Sequence, residues 1–268
     1  MNKQSFSVNK QSFSTNKISV AIAVYNEEDN LSNCLNSIKD LADEIVIVDG
    51  GSTDKTLDIA KKFNAKIIRT GNPQIFHVNK NKAIDAASSD WILQLDADEV
   101  VSEELSSEIK KTTSLKSNIN GYWIPRRNFF LGRFLTKGGQ YPDYTLRLYK
   151  RGQGRLPAKD VHEQAVVQGK VGYLNNPLLH LRDKNFSRYM ERFNRYTDLL
   201  ANQLKDGGVK LNTVSFINYV LIKPVIWFFK AYLRHRGYVD GFPGFVFALF
   251  SSLRFPVAYF KYWSHDKN

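Results

Sequence analysis

The sequence predicts an α/β fold with a mostly parallel central sheet, followed by a C-terminal amphipathic helical region. From Ile18 to Asp96, short apolar runs alternate with segments of helical period, the pattern of strands joined by crossover helices. Three of those runs end in polar clusters: YNEE, DGGSTD and DADE. From Leu211 to Trp263 the alternation stops, and Phe, Tyr, Trp and Val are interleaved with single basic residues.

Residues 1–16 hold NKQSFS twice, at Asn2–Ser7 and Asn9–Ser14. This stretch is polar and aperiodic, offers little apolar surface to offset ordering entropy, and is expected to be a disordered leader. It lacks an apolar signal region, so the expected compartment is the cytoplasm. Ile18–Val24 follows as a strand, then EDNLSNCLNSIKDL as a helix with Cys34 on its apolar stripe. Glu44–Asp49 is the second strand, Thr56–Phe63 a helix, Ala65–Thr70 the third strand, NKAIDAA a helix and Trp91–Asp96 the fourth strand. Ligands of such sheets bind beyond the carboxyl ends of the strands, where the three polar clusters fall. Gly121 to His180 reads as strands and loops rich in Tyr, Arg and Pro. Phe186–Leu204 reads as a helix with Tyr189, Phe193, Tyr196, Leu199 and Leu200 on one face.

At 268 residues and 43% hydrophobic content, the chain can bury a sizeable core. Its net charge of +12 implies an anionic partner: nucleic acid, an acidic membrane surface or phosphorylated substrates. The single cysteine, Cys34, excludes an intramolecular disulfide and a Cys-based zinc site.

Asp96 and Asp98 are two positions apart at the end of a strand-like run. Alternate residues of an extended chain point the same way, so both carboxylates can serve one cation. Such hard oxygen ligands suit Mg²⁺ or Mn²⁺ bound together with substrate phosphates. An equally simple reading is a strand-to-helix turn in which Asp98 or Glu99 caps a helix beginning near Ser102.

The series VYNEEDNL at Val24–Leu31, IVIVDGGSTDKT at Ile45–Thr56, NKAIDAASSDWILQLDADE at Asn81–Glu99 and VHE at Val161–Glu163 resembles glycosyltransferase family 2. That resemblance covers about residues 17–203, and with RLYKRG it is nearest the branch acting on lipopolysaccharide core and other envelope glycans. It implies a GT-A nucleotide-sugar-binding fold for a catalytic domain over 17–204, with 205–268 as a membrane-associating region. It implies inverting transfer from a nucleotide diphosphate sugar, usually UDP-linked, with a Mg or Mn cofactor. Tyr25 and Glu27 would lie against the nucleoside, Asp49 would accept from the base, and Lys80 would face the phosphates. Asp96 would contact ribose or metal, and Asp98 would ligate the metal, with His180 completing its shell. Asp49 before Gly50 and Gly51 also suits a tight turn, and Asp54 suits a cap on the Thr56 helix.

Inversion requires a base on the face opposite the leaving nucleotide. The resemblance implies Glu163, with Asp160 and Asp143 as rivals. Arg126, Arg127, Arg147 and Arg151 are expected to form a basic group on the side of a glycan or lipid-linked acceptor. In Leu211–Trp263, no charge-free apolar segment reaches the roughly 20 residues of a bilayer span. Its aromatic and basic residues suit helices lying peripherally on the anionic, cytoplasmic face of the inner membrane. The alternatives are transfer to a polyprenyl phosphate, a basic nucleic-acid-binding protein and a silent membrane scaffold. No nucleic-acid recognition motif is present, so nucleic acid is not an expected partner.

Overall fold

The computed structural model describes residues 16–73, 75–158, 164–183 and 185–265. They divide into two compact units, the first within Met1–Ala97, Val101–Ile124 and Leu146–Asn176, the second within Asp98–Val100, Pro125–Thr145 and Pro177–Asn268. The expected leader lies outside the described residues except for Asn16, whose amide donates to the Thr113 carbonyl at 2.6 Å.

In the first unit, β1 (Ile18–Val24), β2 (Glu44–Asp49), β3 (Lys66–Arg69) and β4 (Trp91–Leu95) form a parallel sheet in the order β3-β2-β1-β4. The chain moves outward from β1 through β2 to β3 and then returns to the other side of β1. That reversal leaves a crevice beyond the carboxyl ends of β1 and β4. All five residues of β4 are buried, which explains its unbroken WILQL where a half-exposed strand would alternate. Helices α1 (Leu31–Ile38), α2 (Thr56–Lys62) and α3 (His77–Asp85) connect these strands. α1 buries Leu31, Cys34, Leu35 and Ile38 at helical spacing, so the cysteine is a packing residue. After β5 (Glu99–Val101), α4 (Glu103–Ser114) is capped by Ser102, whose hydroxyl accepts from the Leu105 N–H; neither Asp98 nor Glu99 supplies this cap bond.

β6 (Ile119–Phe130), β7 (Arg133–Phe134), β8 (Asp143–Lys150), β11 (Lys170–Tyr173) and β12 (Leu178–Asp183) are the strand-rich region expected between Gly121 and His180, with β9 (Gly154–Arg155) and β10 (Val166–Val167) as a small pair. Within the first unit, β8 runs antiparallel to β4, pairing Ile92 with Tyr149, and the start of β6 pairs in parallel with β11.

In the second unit, the later half of β6 pairs in parallel with β12, setting Asn128 opposite His180. Helix α5 (Phe186–Asp206) begins at Asn185, whose side chain accepts from the Arg188 N–H. Its buried residues are Tyr189, Thr197, Ala201 and Leu204, while Leu199, expected inside, is exposed. The stripe is rotated because α5 packs on α8 (Gly241–His265) through small residues: Ala201 and Leu204 share a buried cluster with Ala258 and Tyr262. A second cluster joins Phe130, Leu135, Tyr189 and Val246.

Helices α6 (Thr213–Phe216) and α7 (Lys223–Phe229) are joined by π-helical turns into one rod, Thr213–Arg234. This rod and Gly237–Ser264 are both long and apolar enough to cross a membrane, their charges being too sparse to interrupt them. Pro224 and Ala231 are the buried residues of the first rod, while Ile222, Val225, Ile226, Phe229 and Leu233 are exposed.

Candidate active site

In the first unit, the polar clusters after β1 and β2 interlock. The Asp49 carboxylate, 1% exposed, accepts from the Gly51 N–H at 3.2 Å and the Ser52 N–H at 3.1 Å. Gly51 has φ +93°, a conformation glycine adopts without strain. Asn26, at φ +53°, donates from its N–H to the Ser52 hydroxyl and accepts from the Thr53 N–H at 2.8 Å. The Glu27 N–H donates to the Thr56 hydroxyl, and the Glu27 carboxylate accepts from the Asn30 amide at 2.7 Å. Asp54 accepts from the N–H groups of both Thr56 and Glu28, so it ties the Thr56 helix to the first loop. Tyr25 is 46% exposed at the mouth of this frame.

At the end of β4, Asp96 lies between two cations. Lys80, 6% exposed on α3, pairs with one oxygen, and the Arg147 guanidinium on β8 lies 2.6 Å from the other. Arg147 also donates to the side chain of Gln94, which explains a buried amide in an apolar strand. Burial alone would raise the pKa of Asp96, but Arg147 and then Lys80 outweigh it and hold the carboxyl well below the usual range. Asp96 is therefore an anion at neutral pH.

The second unit holds Asp98 and His180. The Nε2 of His180 lies 3.3 Å from Asp98 Oδ2, and its Nδ1 lies 2.7 Å from Asn128 Oδ1. Asn128 turns its amide nitrogen to Asp143 at 3.1 Å, which leaves its oxygen toward the ring. Asp143 is held in turn by Arg126 at 2.7 Å, and Arg126 also reaches Glu99, fully buried, at 3.5 Å. Nδ1–H thus donates to Asn128, and Nε2 is left facing a carboxylate oxygen. Octahedral ligands about 2.1 Å from Mg²⁺ stand about 3 Å apart, so the separation fits one divalent cation. The Asn128 contact is the outer support that histidine ligands use. Among the described residues no cluster of three His, Cys, Asp or Glu side chains is assembled for a metal. Beside this pair, a cavity of about 180 Å³ is lined by Arg126, Asn128, Asp143, His180, Arg182 and Arg192.

A family model described as Glycosyl transferase family 2 matches residues 19–155. The chain belongs to glycosyltransferase family 2. Lipopolysaccharide core biosynthesis glycosyltransferase LpsC of Rhizobium meliloti (strain 1021) is 30% identical over 242 residues, covering 87% of this chain and 86% of that one. An uncharacterized glycosyltransferase of Rickettsia typhi is also 30% identical, over 85% of this chain and 80% of its own length. The mannosyltransferase PcManGT of Pyrobaculum calidifontis, solved with GDP-Man and Mn²⁺, superposes with a TM-score of 0.55 at 13% identity, over 92% of this chain and 87% of that one. The glycosyltransferase has the GT-A fold expected from its motifs.

In this family 2 enzyme, Tyr25, Glu27, Asp49, Lys80 and Asp96 all lie in the first unit, while Asp98, Asp143 and His180 lie in the second. Glu163 and Asp160 lie outside the described residues. The expected basic group is divided: Arg147 neutralises Asp96 within one unit, and Arg126 is committed to Asp143 and Glu99 within the other. Asn128, Arg182 and Arg192 were not singled out by sequence reasoning. The RD pair two residues after His180 was a signal for the second. Asn128 carried none, because its role comes from pairing with a strand 52 residues away.

Proposed function

We propose that this glycosyltransferase transfers a hexosyl group, with inversion, from a UDP-linked sugar to a lipopolysaccharide-core or other envelope-glycan acceptor at the cytoplasmic face of the inner membrane. The acceptor class is supported by the likeness to LpsC along most of both chains. The observation that carries the metal dependence is His180 Nε2 facing Asp98 at 3.3 Å with its other nitrogen committed to Asn128.

Tyr25 and Glu27 line the nucleoside, and Asp49, already rigid through its turn, accepts from the base. Asp98 and His180 would hold Mg²⁺ or Mn²⁺, which when bound would neutralise charge on the departing diphosphate. Lys80 adds positive charge on the donor side and keeps Asp96 ionised. Glu163 takes the proton from the acceptor hydroxyl as its oxygen attacks the anomeric carbon. The cavity beside His180 receives the acceptor, where Arg182 suits an anionic glycan substituent. The exposed rod Thr213–Arg234, with Lys223, Lys230 and Arg234, seats the enzyme peripherally on anionic lipid.

The test is nucleotide release by purified enzyme across UDP-sugars, with and without Mn²⁺ and an envelope-glycan acceptor. Acceptor- and Mn²⁺-dependent release is expected, and Glu163→Gln should slow transfer by about 10²–10⁴-fold with donor binding retained. Full activity in chelator would overturn the metal assignment. Full activity of Glu163→Gln beside an inactive Asp143→Asn or Asp160→Asn would move the base.

A further inference from the structure

A cavity of about 300 Å³ in the second unit, which shares Gln140 and Phe247 with the cavity beside His180, is lined by Gly138, Gly139, Trp227, Lys230, His235 and Arg254, among others. It exists because the loop after β7 is tied to the helices. The Asp240 carboxylate, fully buried, accepts from the Thr136 N–H at 2.9 Å, the Thr136 hydroxyl at 2.7 Å and the Lys137 N–H at 2.8 Å. The Gly138 N–H donates to the His235 carbonyl at 2.9 Å. Gly138 and Gly139 both have positive φ, and a Cβ at Gly139 would meet nothing within 4 Å, so this backbone wall stays open.

Two cations converge on Trp227 within this space. The Arg254 guanidinium carbon is 4.4 Å from its ring centroid, and the Lys230 ammonium is 5.1 Å away. Neither forms an ion pair or a hydrogen bond with the described residues, although Arg254 is half-buried. Ring contacts cannot satisfy the guanidinium's N–H donors, which are left for an acceptor from outside the described residues. An oxyanion bearing two or more oxygens matches that fork. Trp227 and Lys230 also lie on the same turns as the exposed Ile226, Phe229 and Leu233, so an anion seated here has apolar surface immediately beside it. A free ion has no use for that surface, and a lipid has.

We propose that this cavity binds the phosphate diester of an anionic phospholipid, with Arg254 and Lys230 holding the phosphate and the exposed rod receiving the acyl chains. The site rests on the membrane reading above and adds to it a stoichiometric headgroup pocket, where diffuse attraction alone would need none. Binding of wild-type enzyme, Arg254→Gln, Lys230→Gln and Lys223→Gln to phosphatidylglycerol and phosphatidylcholine vesicles tests it, with thermal melting to confirm folding. Diffuse attraction is about 1 kcal/mol per basic residue, roughly fivefold in partitioning. Lys223→Gln, outside the cavity, should lose no more than that on phosphatidylglycerol. Arg254→Gln should lose clearly more, about tenfold or beyond, and little on phosphatidylcholine; Lys230→Gln should follow it. Equal losses for Lys223→Gln, Lys230→Gln and folded Arg254→Gln would overturn the pocket and leave membrane binding standing. Wild-type enzyme that binds neither vesicle would overturn both. If Arg254→Gln does not fold, Lys230→Gln decides alone. Displacement of the enzyme from vesicles by inorganic phosphate as readily as by a soluble short-chain phosphatidylglycerol would overturn the lipid as the source of the anion.

Discussion

Asp96 shows how one carboxylate can be bound to its surroundings by charge alone. Replacing it with Asn removes the carboxylate that the buried Lys80 and Arg147 share, and loss of one partner of a buried ion pair costs about 3 kcal/mol or more. The folded pKa of Asp96 is depressed, so its contribution is fully present above the unfolded value and is lost as pH falls through the folded one. The stability difference between wild type and Asp96→Asn, measured by denaturant titration, should be largest near neutrality and shrink below about pH 4. A gap independent of pH would show that the charge is not what is lost. Asn128 offers a second test. It lines the cavity beside His180 and also orients that ring, so Asn128→Ala should weaken the apparent Mn²⁺ affinity about 10–100-fold. A Mn²⁺ half-saturation point unchanged in the variant would contradict that positioning role.

At the level of elements, strands β1 to β4 and their helices were legible from sequence because each expresses its period locally: WILQL is buried throughout, and α1 repeats its apolar residues at helical spacing. What remained illegible depends on partners far away in the chain. Arg147 reads as part of an acceptor-side basic group, and only the antiparallel pairing of β8 with β4 brings it to Asp96. Leu199 reads as core until α8 selects the neighbouring stripe of α5. Asp240, in a glycine-flanked turn, gave no hint that it is the buried acceptor for the loop at Thr136. Asp240→Ala removes three hydrogen bonds to a carboxylate and leaves their donors unpaired. Folding stability should fall by about 2–3 kcal/mol, and the Thr136 and Lys137 amides should exchange with solvent much faster. Retained protection at those two amides would show that the loop is held by something else.

On the scale of the whole molecule, the +12 charge has several separate uses. Arg126 and Arg147 spend theirs inside the protein, while Lys223, Lys230 and Arg234 stand along an exposed apolar rod. Membrane binding through that rod should fall only in part as salt rises, because screening weakens the charges and leaves apolar insertion intact. Ile226→Glu combined with Leu233→Glu, both exposed positions, should abolish vesicle sedimentation at any salt without lowering the melting temperature. Undiminished sedimentation would assign the rod to another partner. These substitutions are a cleaner probe than removal of residues 211–268, since Ala258 and Tyr262 belong to the packing of α5.

The interleaving of the second unit along the chain carries a consequence for biosynthesis. Its core joins Phe130 and Leu135 to Tyr189 and Val246, and its loop at Thr136 waits for Asp240. A ribosome that has already delivered Asp98, Asn128 and His180 has still not delivered the helix that stabilises their surroundings. A nascent chain arrested just before residue 240 should therefore remain protease-sensitive around residues 125–145, and the enzyme should gain its catalytic competence late in translation, at about the moment its membrane-facing helices emerge.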